Sequence, residues 1–391
     1  MVKIVAAPVG APASFALATS FFFGDERPGS RNPRISKSRI KWQHQEACGI
    51  VKWCASGAAF LQLPFFRHMR TELLLLTDYR PTIETECAVN GSRIDAIHGV
   101  LDREIRAFAA AANRTGAHAL GTHAAFSIYN LYKWQVLQYV HYDLILYTDP
   151  DVDLFFESGG LPPRFGSALY GALKQTWTHD LLTFWASSAE LAAGPDGASA
   201  INGGLLLLKP SLATFQLGRR ILRTRRFDVQ HGFNGSGRPR DVLPHERMPQ
   251  WFARELNRTH MVKKDTWDFT NGDAEQGLFS YVYLVAQRMA AFMPSPPLGR
   301  HMAGWNSSHH VAHFWGPSKP WKTWGVCPRW YAFLGPRRSE NQPNGKPLRP
   351  RSPFVHPPTF CTTLLTSMRQ HMEEIGSARV RPCRHNWQRV V

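Results

Sequence analysis

The sequence is poor in acidic residues and lacks any recognisable nucleic-acid-binding pattern or internal repeat. Its 29 Asp and Glu residues stand against 46 Lys and Arg, so the formal net charge is +17. A basic excess of this size is common in proteins that bind nucleic acids. However, no segment has the pattern of an RRM, a zinc finger or a helix-turn-helix, and much of the excess lies in a Pro-rich segment after Pro328. The sequence therefore argues against nucleic acid as the partner.

Long hydrophobic runs are also missing, apart from one uncharged stretch at residues 4–24. Pro8, Gly10 and Pro12 interrupt its first half, so the stretch fits either a signal or membrane-anchor segment or a buried first strand. We favour the strand. Any membrane association of this chain would run through this N-terminal stretch, because no other segment is long and apolar enough to span a bilayer.

The six cysteines include no Cys-x-x-Cys pair, which argues against the common zinc-binding and redox motifs. The last three, Cys327, Cys361 and Cys383, are candidates for disulfides that hold the tail in place, whereas buried thiols fit the first three equally well. Asn-x-Ser/Thr sequons are more frequent than the roughly one or two expected by chance. They lie at Asn90, Asn113, Asn234, Asn257 and Asn306. The excess predicts residence in the Golgi or secretory lumen, with the cytoplasm as the alternative.

What the chain does have is a globular composition, 43% hydrophobic and 19% charged, over 391 residues. Short apolar runs of the length of buried strands occur at 15–21, 71–77, 143–148 and 201–208. Helical patterns are predicted at 50–63, 94–112, 127–140, 215–225 and 276–290. Strands that alternate with helices predict an α/β doubly wound sheet, in which ligands bind beyond the carboxyl ends of the strands.

The segment that carries the most chemistry is Asp149-Pro-Asp151, at the end of the predicted strand 143–148. Two carboxylates separated by one residue can converge on a divalent cation that keeps positions open for phosphate oxygens. A solvated acidic turn is the simpler alternative. An EF-hand loop is excluded, because its sixth position would be Leu154 rather than Gly and its twelfth Gly160 rather than Glu.

Further motifs flank this segment along the chain. Upstream lies a predicted helix that contains Lys133. Downstream, Asn202-Gly203-Gly204 stands in a strand that ends near Pro210-Ser211, and the pair Glu275-Gln276 follows. The last motif begins at His313 and contains Gly316, Lys319, Pro320 and Trp321. In this set and order the chain resembles the glycogenin-like family of retaining glycosyltransferases (family 8, GT-A fold) over roughly residues 15–322. The resemblance implies a Rossmann-like mixed sheet with helices on both faces.

The resemblance also implies roles for these residues. Mn²⁺ would be bound by Asp149, Asp151 and His313, a set of oxygen and nitrogen ligands that this ion accepts. The donor would be a UDP-sugar, with its diphosphate near Gly316 and Lys319. The other implied donor-binding residues are Thr19, Ser20, Gly203 and Gly204. The implied catalytic and sugar-site residues are Lys133, Asn202, Glu275 and Gln276.

The chain departs from the family pattern at three points. The family's Asn-Ser-Gly is Asn202-Gly203-Gly204 here, and its Asp-Gln is Glu275-Gln276. A Tyr that normally follows the first strand is not evident, because an Arg-rich insertion at 24–45 intervenes. Since Glu is one methylene longer than Asp, the second departure moves a carboxylate within the implied sugar site, which would tune or impair catalysis.

The sequence thus predicts a GT-A domain at 1–322, with the insertion loop at 24–45 and a variable loop or small lobe at 226–266, followed by a basic extension at 323–391. The predicted reaction transfers a hexosyl or pentosyl group from a UDP-sugar to a glycan or protein acceptor; whether the protein is a homodimer stays open. Two alternatives are a non-catalytic lumenal protein that binds polyanionic glycans and a sugar nucleotidyltransferase. The metal-ligand set argues against the first, and the stretch from His313 to Trp321 argues against the second.

Overall fold

The computed structural model describes the α/β part of the chain. The described residues are 10–21, 50, 53–54, 56–77, 92–96, 99–114, 130–155, 166–193, 201–224, 227–228, 232–233, 274–287, 290–292 and 312–313. The predicted insertion at 24–45, Gly316, Lys319 and the extension at 323–391 lie outside them.

A seven-stranded mixed sheet forms the centre, in the order β10-β6-β7-β4-β1-β2-β3. Its parallel half consists of β1 (Ser14–Phe21), β2 (Arg70–Thr77), β3 (Ser92–Ala96) and β4 (Leu144–Thr148). The other half consists of β6 (Leu191–Ala193), β7 (Leu205–Leu208) and β10 (Ala290–Phe292), with β7 antiparallel to both of its neighbours. The N-terminal apolar run is therefore a central strand of the sheet, as predicted.

Two short ribbons accompany the sheet. In one, β5 (Val152–Asp153) pairs with β11 (Ala312–His313); in the other, β8 (Phe227–Asp228) pairs with β9 (Gly232–Phe233). The second ribbon lies within the segment that we predicted to be a loop or small lobe.

Helices cover both faces of the sheet because the strands are apolar on both sides. Successive residues of β2 alternate between two hydrophobic clusters, with Leu73 in one and Leu74 in the other. The cluster of Leu74 is covered by α1 (Asp102–Arg114) and by a 3-10 helix (Leu131–Gln138), hereafter the Lys133 helix. Two further helices cover the same cluster: α3 (Leu212–Thr224), and α4 (Ala274–Ser280), which continues as a π-helix (Tyr281–Ala286). The cluster of Leu73 is covered by helical residues 56–60, a 3-10 helix (Pro64–His68) and α2 (Ala168–Ala186). The predicted α/β class is confirmed.

The Lys133 helix is held against α3 by a close approach. The indole of Trp134 donates a hydrogen bond from Nε1 to the carbonyl of Phe215 at 3.1 Å. A Cβ atom on Gly218 would lie 2.2 Å from that indole, closer than any van der Waals contact, so only glycine fits this position on α3. The contact fixes the helix that carries Lys133.

Three sequence predictions about elements were wrong in part. Residues 94–96, the start of the predicted helix 94–112, belong instead to β3, which pairs with β2 at the sheet edge. The helix begins at Asp102, with Asp102 and Glu104 in its first turn. The predicted strand 201–208 begins only at Leu205, after a turn. We also missed α2 and β6, although Ser167 caps α2 by accepting a hydrogen bond from the Tyr170 amide.

Among the described residues, no helix is long and apolar enough to cross a membrane. Cys54 is a buried free thiol.

Candidate functional site

The candidate site lies where β1 and β4 end. The chain continues from β1 to β2 and β3 on one side of this pair, and from β4 to β6 and β7 on the other. Such a topological switch point opens a crevice beyond the carboxyl ends of the strands, and ligands of α/β sheets bind there. Ser20 near the end of β1 and Asp149 directly after β4 meet at this crevice.

A buried lysine is the centre of the site. Lys133 is only 2% exposed, and its Nζ lies 2.9 Å from Oδ1 of Asp149 and 3.2 Å from Oε1 of Glu275. Nζ also donates a hydrogen bond to the carbonyl of Gly203 at 3.2 Å. Glu275 is 1% exposed, whereas Asp149 is 23% exposed, directly after the carboxyl end of β4. Lys133 thus connects an acid inside the protein with an acid at the crevice.

The lysine is held in its charged form. Burial by itself would lower the pKa of Lys133, but the neighbouring carboxylates of Asp149 and Glu275 reverse this effect and raise the pKa well above its usual value. Lys133 is therefore a permanent cation at neutral pH. It can supply positive charge to a ligand, and it cannot act as a general base there. Its three N–H donors are already directed at Asp149, Glu275 and the carbonyl of Gly203.

A tyrosine extends this network to β1. The hydroxyls of Tyr147 and Ser20 are 2.6 Å apart, and the Tyr147 hydroxyl donates to Oδ1 of Asp149 at 3.2 Å. Burial raises the pKa of Tyr147 well above its usual value, so the phenol stays protonated. Ser20, Tyr147, Asp149, Lys133 and Glu275 thereby form one continuous polar chain across the switch point.

The predicted Asn-Gly-Gly motif forms the turn that leads into β7. Oδ1 of Asn202 accepts a hydrogen bond from the Gly204 amide at 2.7 Å, which closes the turn locally. The carbonyl of Gly204 then accepts from the Asp149 amide at 2.8 Å. This turn therefore fixes the backbone of Asp149 and presents the Gly203 carbonyl to Lys133.

The backbone also brings the predicted metal-binding segments together. β11 pairs with β5 so that His313 lies opposite Val152, and Val152 directly follows Asp151. The side chain of His313 is not among the described ones. Within the described part of the chain, no group of three or more His, Cys, Asp or Glu side chains is arranged to hold a metal ion. Mn²⁺ binding by Asp149, Asp151 and His313 stays a prediction.

The chemistry of these residues fits a divalent cation. Of the predicted site side chains that the structure describes, Asp149, Asp151 and Glu275 are acids and Lys133 is the base, so their formal charges sum to −2. Carboxylate oxygens with an imidazole nitrogen form a ligand set that suits Mn²⁺.

The other predicted site residues are placed as follows. Gln276 adjoins Glu275 in the first turn of α4 and is buried, as is Asn202. Thr19 is fully buried in β1. Since side chains alternate along a strand, Thr19 points to the opposite face of the sheet from Ser20 and the Lys133 helix. The structure thus brings Ser20 into the polar chain, while Thr19 lies on the other face.

Sequence reasoning missed Tyr147 and Trp53. Trp53 donates a hydrogen bond from its indole to Oγ1 of Thr148 at 2.6 Å and so supports the last residue of β4. Tyr147 carries a hydroxyl within an otherwise apolar buried strand, and such a group needs a polar partner. That signal would have identified it; Trp53 left none, because its partner is 95 residues away.

The chain matches no protein-family model, and no curated protein matches it. Solved structures similar to it include the galactosyltransferase LgtC in complex with donor and acceptor sugar analogues, with a TM-score of 0.36 and 12% identity over 95% of this chain and 99% of that one. Mouse xyloside xylosyltransferase 1 has a TM-score of 0.35 and 10% identity over 77% of this chain and 97% of that one. The glycosyltransferase GlyE of Streptococcus pneumoniae has values of 0.28 and 14%, over 82% and 59%. At such identities none of them assigns a role to a residue of this chain.

Proposed function

We propose that this protein is a metal-dependent retaining glycosyltransferase that moves a hexosyl or pentosyl group from a UDP-sugar to a glycan or protein acceptor. The observation that carries the proposal is the buried Lys133 between Asp149 and Glu275, at the switch point of the sheet. The order of motifs in the sequence supports it.

A structural role alone explains this arrangement poorly. Replacing a buried ion pair by apolar side chains of similar volume is often neutral or stabilising, so such a pair contributes little net stability. Perturbed ionisable groups in a cleft are instead typical of functional sites. Lys133 resembles such a group, since its pKa is strongly raised and its partner Asp149 is partly exposed at the switch point of the sheet.

In the proposed enzyme, Asp149, Asp151 and His313 hold Mn²⁺. When bound, the metal supplies positive charge that stabilises the departing diphosphate. Lys133 orients Asp149 through their ion pair. Its three N–H groups are directed at Asp149, Glu275 and the carbonyl of Gly203, so it acts on the donor phosphate through its positive charge. Glu275 and Gln276 line the sugar site together with Asn202, where carboxylate and amide oxygens accept hydrogen bonds from sugar hydroxyls.

For location, we propose the secretory lumen, supported by the five sequons and the cysteine-bearing tail. Membrane association through the N-terminal stretch and a homodimer belong to the same proposal. The alternative location is the cytoplasm.

Hydrolysis of the donor tests the proposed function. Purified protein is incubated with a series of UDP-sugars, with Mn²⁺ or with a chelator, and UDP release is measured. We expect release from at least one donor, loss on chelation and recovery with Mn²⁺. Asp151→Asn should lower turnover by about two orders of magnitude or more.

The matched control lies two residues further along the chain. Asp153 accepts a hydrogen bond from the Phe155 amide at 2.9 Å, and the amide oxygen of Asp153→Asn preserves that bond. This variant should retain most of the activity. Full turnover in chelator would refute metal dependence. Glycan binding without turnover would indicate the polyanion-binding alternative, and pyrophosphate release from UTP and a sugar phosphate would indicate a nucleotidyltransferase.

A further inference from the structure

Two of the three departures from the family pattern, Gly203 and Glu275, lie next to each other in the structure. A Cβ atom built on Gly203 would lie 2.6 Å from Oε1 of Glu275 and 3.3 Å from Cγ of Gln276. The first distance is well inside van der Waals contact, so any side chain at position 203 would displace the carboxylate of Glu275. A side chain at position 203 would therefore need the volume that the carboxylate of Glu275 already fills.

The displaced atom cannot move cheaply. Oε1 is at the end of a flexible side chain, but Glu275 is 1% exposed and this oxygen lies 3.2 Å from Nζ of Lys133. Rotating the carboxylate away from position 203 would break that ion pair inside the protein. Breaking a contact between two buried charges is strongly destabilising. Lys133 would keep its ion pair with Asp149, but the buried carboxylate of Glu275 would lose its contact with Lys133.

Backbone geometry gives no separate reason for glycine at this position. Gly203 lacks the positive φ that disfavours L-residues, unlike Gly10 and Gly166 with φ of 93° and 78°. The requirement for glycine at 203 comes from the side chain of Glu275.

We propose that Gly203 is a positioning residue matched to Glu275. By carrying no side chain, it lets the longer acid reach Lys133, and Lys133 in turn holds Asp149 at the crevice. Residues 203 and 275 then act as a pair. With glycine at 203, glutamate at 275 has room to contact Lys133; with any side chain at 203, only the shorter aspartate would fit at 275. The catalytic consequence rests on the proposed function, whereas the steric coupling does not.

Four proteins test the pairing: wild type, Gly203→Ala, Glu275→Asp and the double variant. Urea denaturation gives the stability of each, and UDP release gives kcat and KM. We expect Gly203→Ala alone to lower the denaturation midpoint clearly and to lower kcat by about a hundredfold, as for a catalytic group displaced by about 1 Å. In the Glu275→Asp background, the same alanine should cause little further loss, because the shorter acid vacates the volume.

Gly171 supplies the matched control. It lies in α2 with nothing within 4 Å of a built Cβ, so Gly171→Ala should leave the midpoint unchanged or raise it. Equal losses from Gly203→Ala in the wild-type and Glu275→Asp backgrounds would overturn the proposal, as would a neutral Gly203→Ala. If the wild type releases no UDP from any donor, the proposed function is refuted. The denaturation midpoints of the four proteins would still show whether Gly203 and Glu275 are sterically coupled.

Discussion

Replacing Lys133 by Met is the sharpest test of how the site is held together. The two side chains have similar length, so the variant removes the charge and keeps most of the volume. Both acids would lose the same ammonium group, which lies 3.2 Å from Oε1 of the buried Glu275 and 2.9 Å from Oδ1 of Asp149. The variant therefore leaves two acids facing each other without the cation between them.

The magnitude follows from the burial of each partner. At an effective dielectric constant of about 20, two unit charges at such a separation interact by roughly 5 kcal/mol. Because Asp149 is partly exposed, water screens its interaction with Lys133. Most of the interaction energy therefore comes from the buried Glu275. Breaking one partner of a buried pair typically costs about 3–5 kcal/mol. We expect a loss of about 3 kcal/mol in the free energy of unfolding at neutral pH.

Urea denaturation measures this loss, with the m-value showing whether the unfolding transition is preserved. In a Glu275→Gln background, Lys133→Met should cost less by about 2 kcal/mol, because the ion pair between Lys133 and Glu275 is then already absent. Lys174→Met on the exposed face of α2 is the matched control and should change stability by no more than about 0.5 kcal/mol. A loss below about 1 kcal/mol, or the same loss in both backgrounds, would refute the reasoning.

The pH dependence of this loss can also be stated. Because the pKa of Lys133 is raised in the folded protein, its stabilising contribution is complete below the unfolded-state value, near 10.4, and declines only as pH rises through the folded-state value. The contribution of the Lys133 charge itself should therefore be constant between about pH 6 and 9. Any change in the cost of Lys133→Met over this range, measured by urea denaturation, would then report proton uptake by the carboxyl groups that the variant leaves behind.

Three further predictions follow from the packing and the sequence. Gly218→Ala should lower the free energy of unfolding by about 1–3 kcal/mol in the same urea assay, because the new methyl group overlaps the indole of Trp134; a neutral effect would contradict the close approach. Lys319→Ala should lower kcat by about two to three orders of magnitude with little loss of UDP affinity, as expected of a charge that acts on the leaving diphosphate; unchanged turnover with weaker glycan binding would favour the polyanion-binding alternative. Glycosidase treatment of protein from its native host should increase gel mobility if the sequons are used, whereas unmodified, fully reduced protein would indicate the cytoplasm.

The sequence predicted the inner strands β1, β2 and β4 well because they are long apolar runs that are buried on both faces, whereas the three-residue inner strand β6 was missed. A strand covered on both sides must be apolar throughout, and the runs at 71–77 and 143–148 therefore coincide closely with β2 and β4. β3 gave no such signal. It lies at the sheet edge, and its five residues Ser-Arg-Ile-Asp-Ala include polar and charged side chains, so they form no apolar run that would separate the strand from the helix that follows.

For the candidate site, the sequence by itself determined which residues to consider. Motif spacing and residue chemistry singled out Lys133, Asn202, Glu275 and the Asp149-Pro-Asp151 segment, because an acid pair after an apolar strand and a glycine pair before another are local features. It also identified Gly203 and Glu275 as two separate departures from a family pattern. All of this information lies within a few residues along the chain.

Only the tertiary structure decided what these residues do to one another. Lys133 and Glu275 are 142 residues apart, and Lys133 and Gly203 are 70 apart, so no local pattern encodes their contacts. These contacts arise because the Lys133 helix, the turn before β7 and α4 pack over the same end of the sheet. Side-chain volume is then shared among segments that are distant in sequence, which is why two apparent departures from a pattern become one steric fit between Gly203 and Glu275.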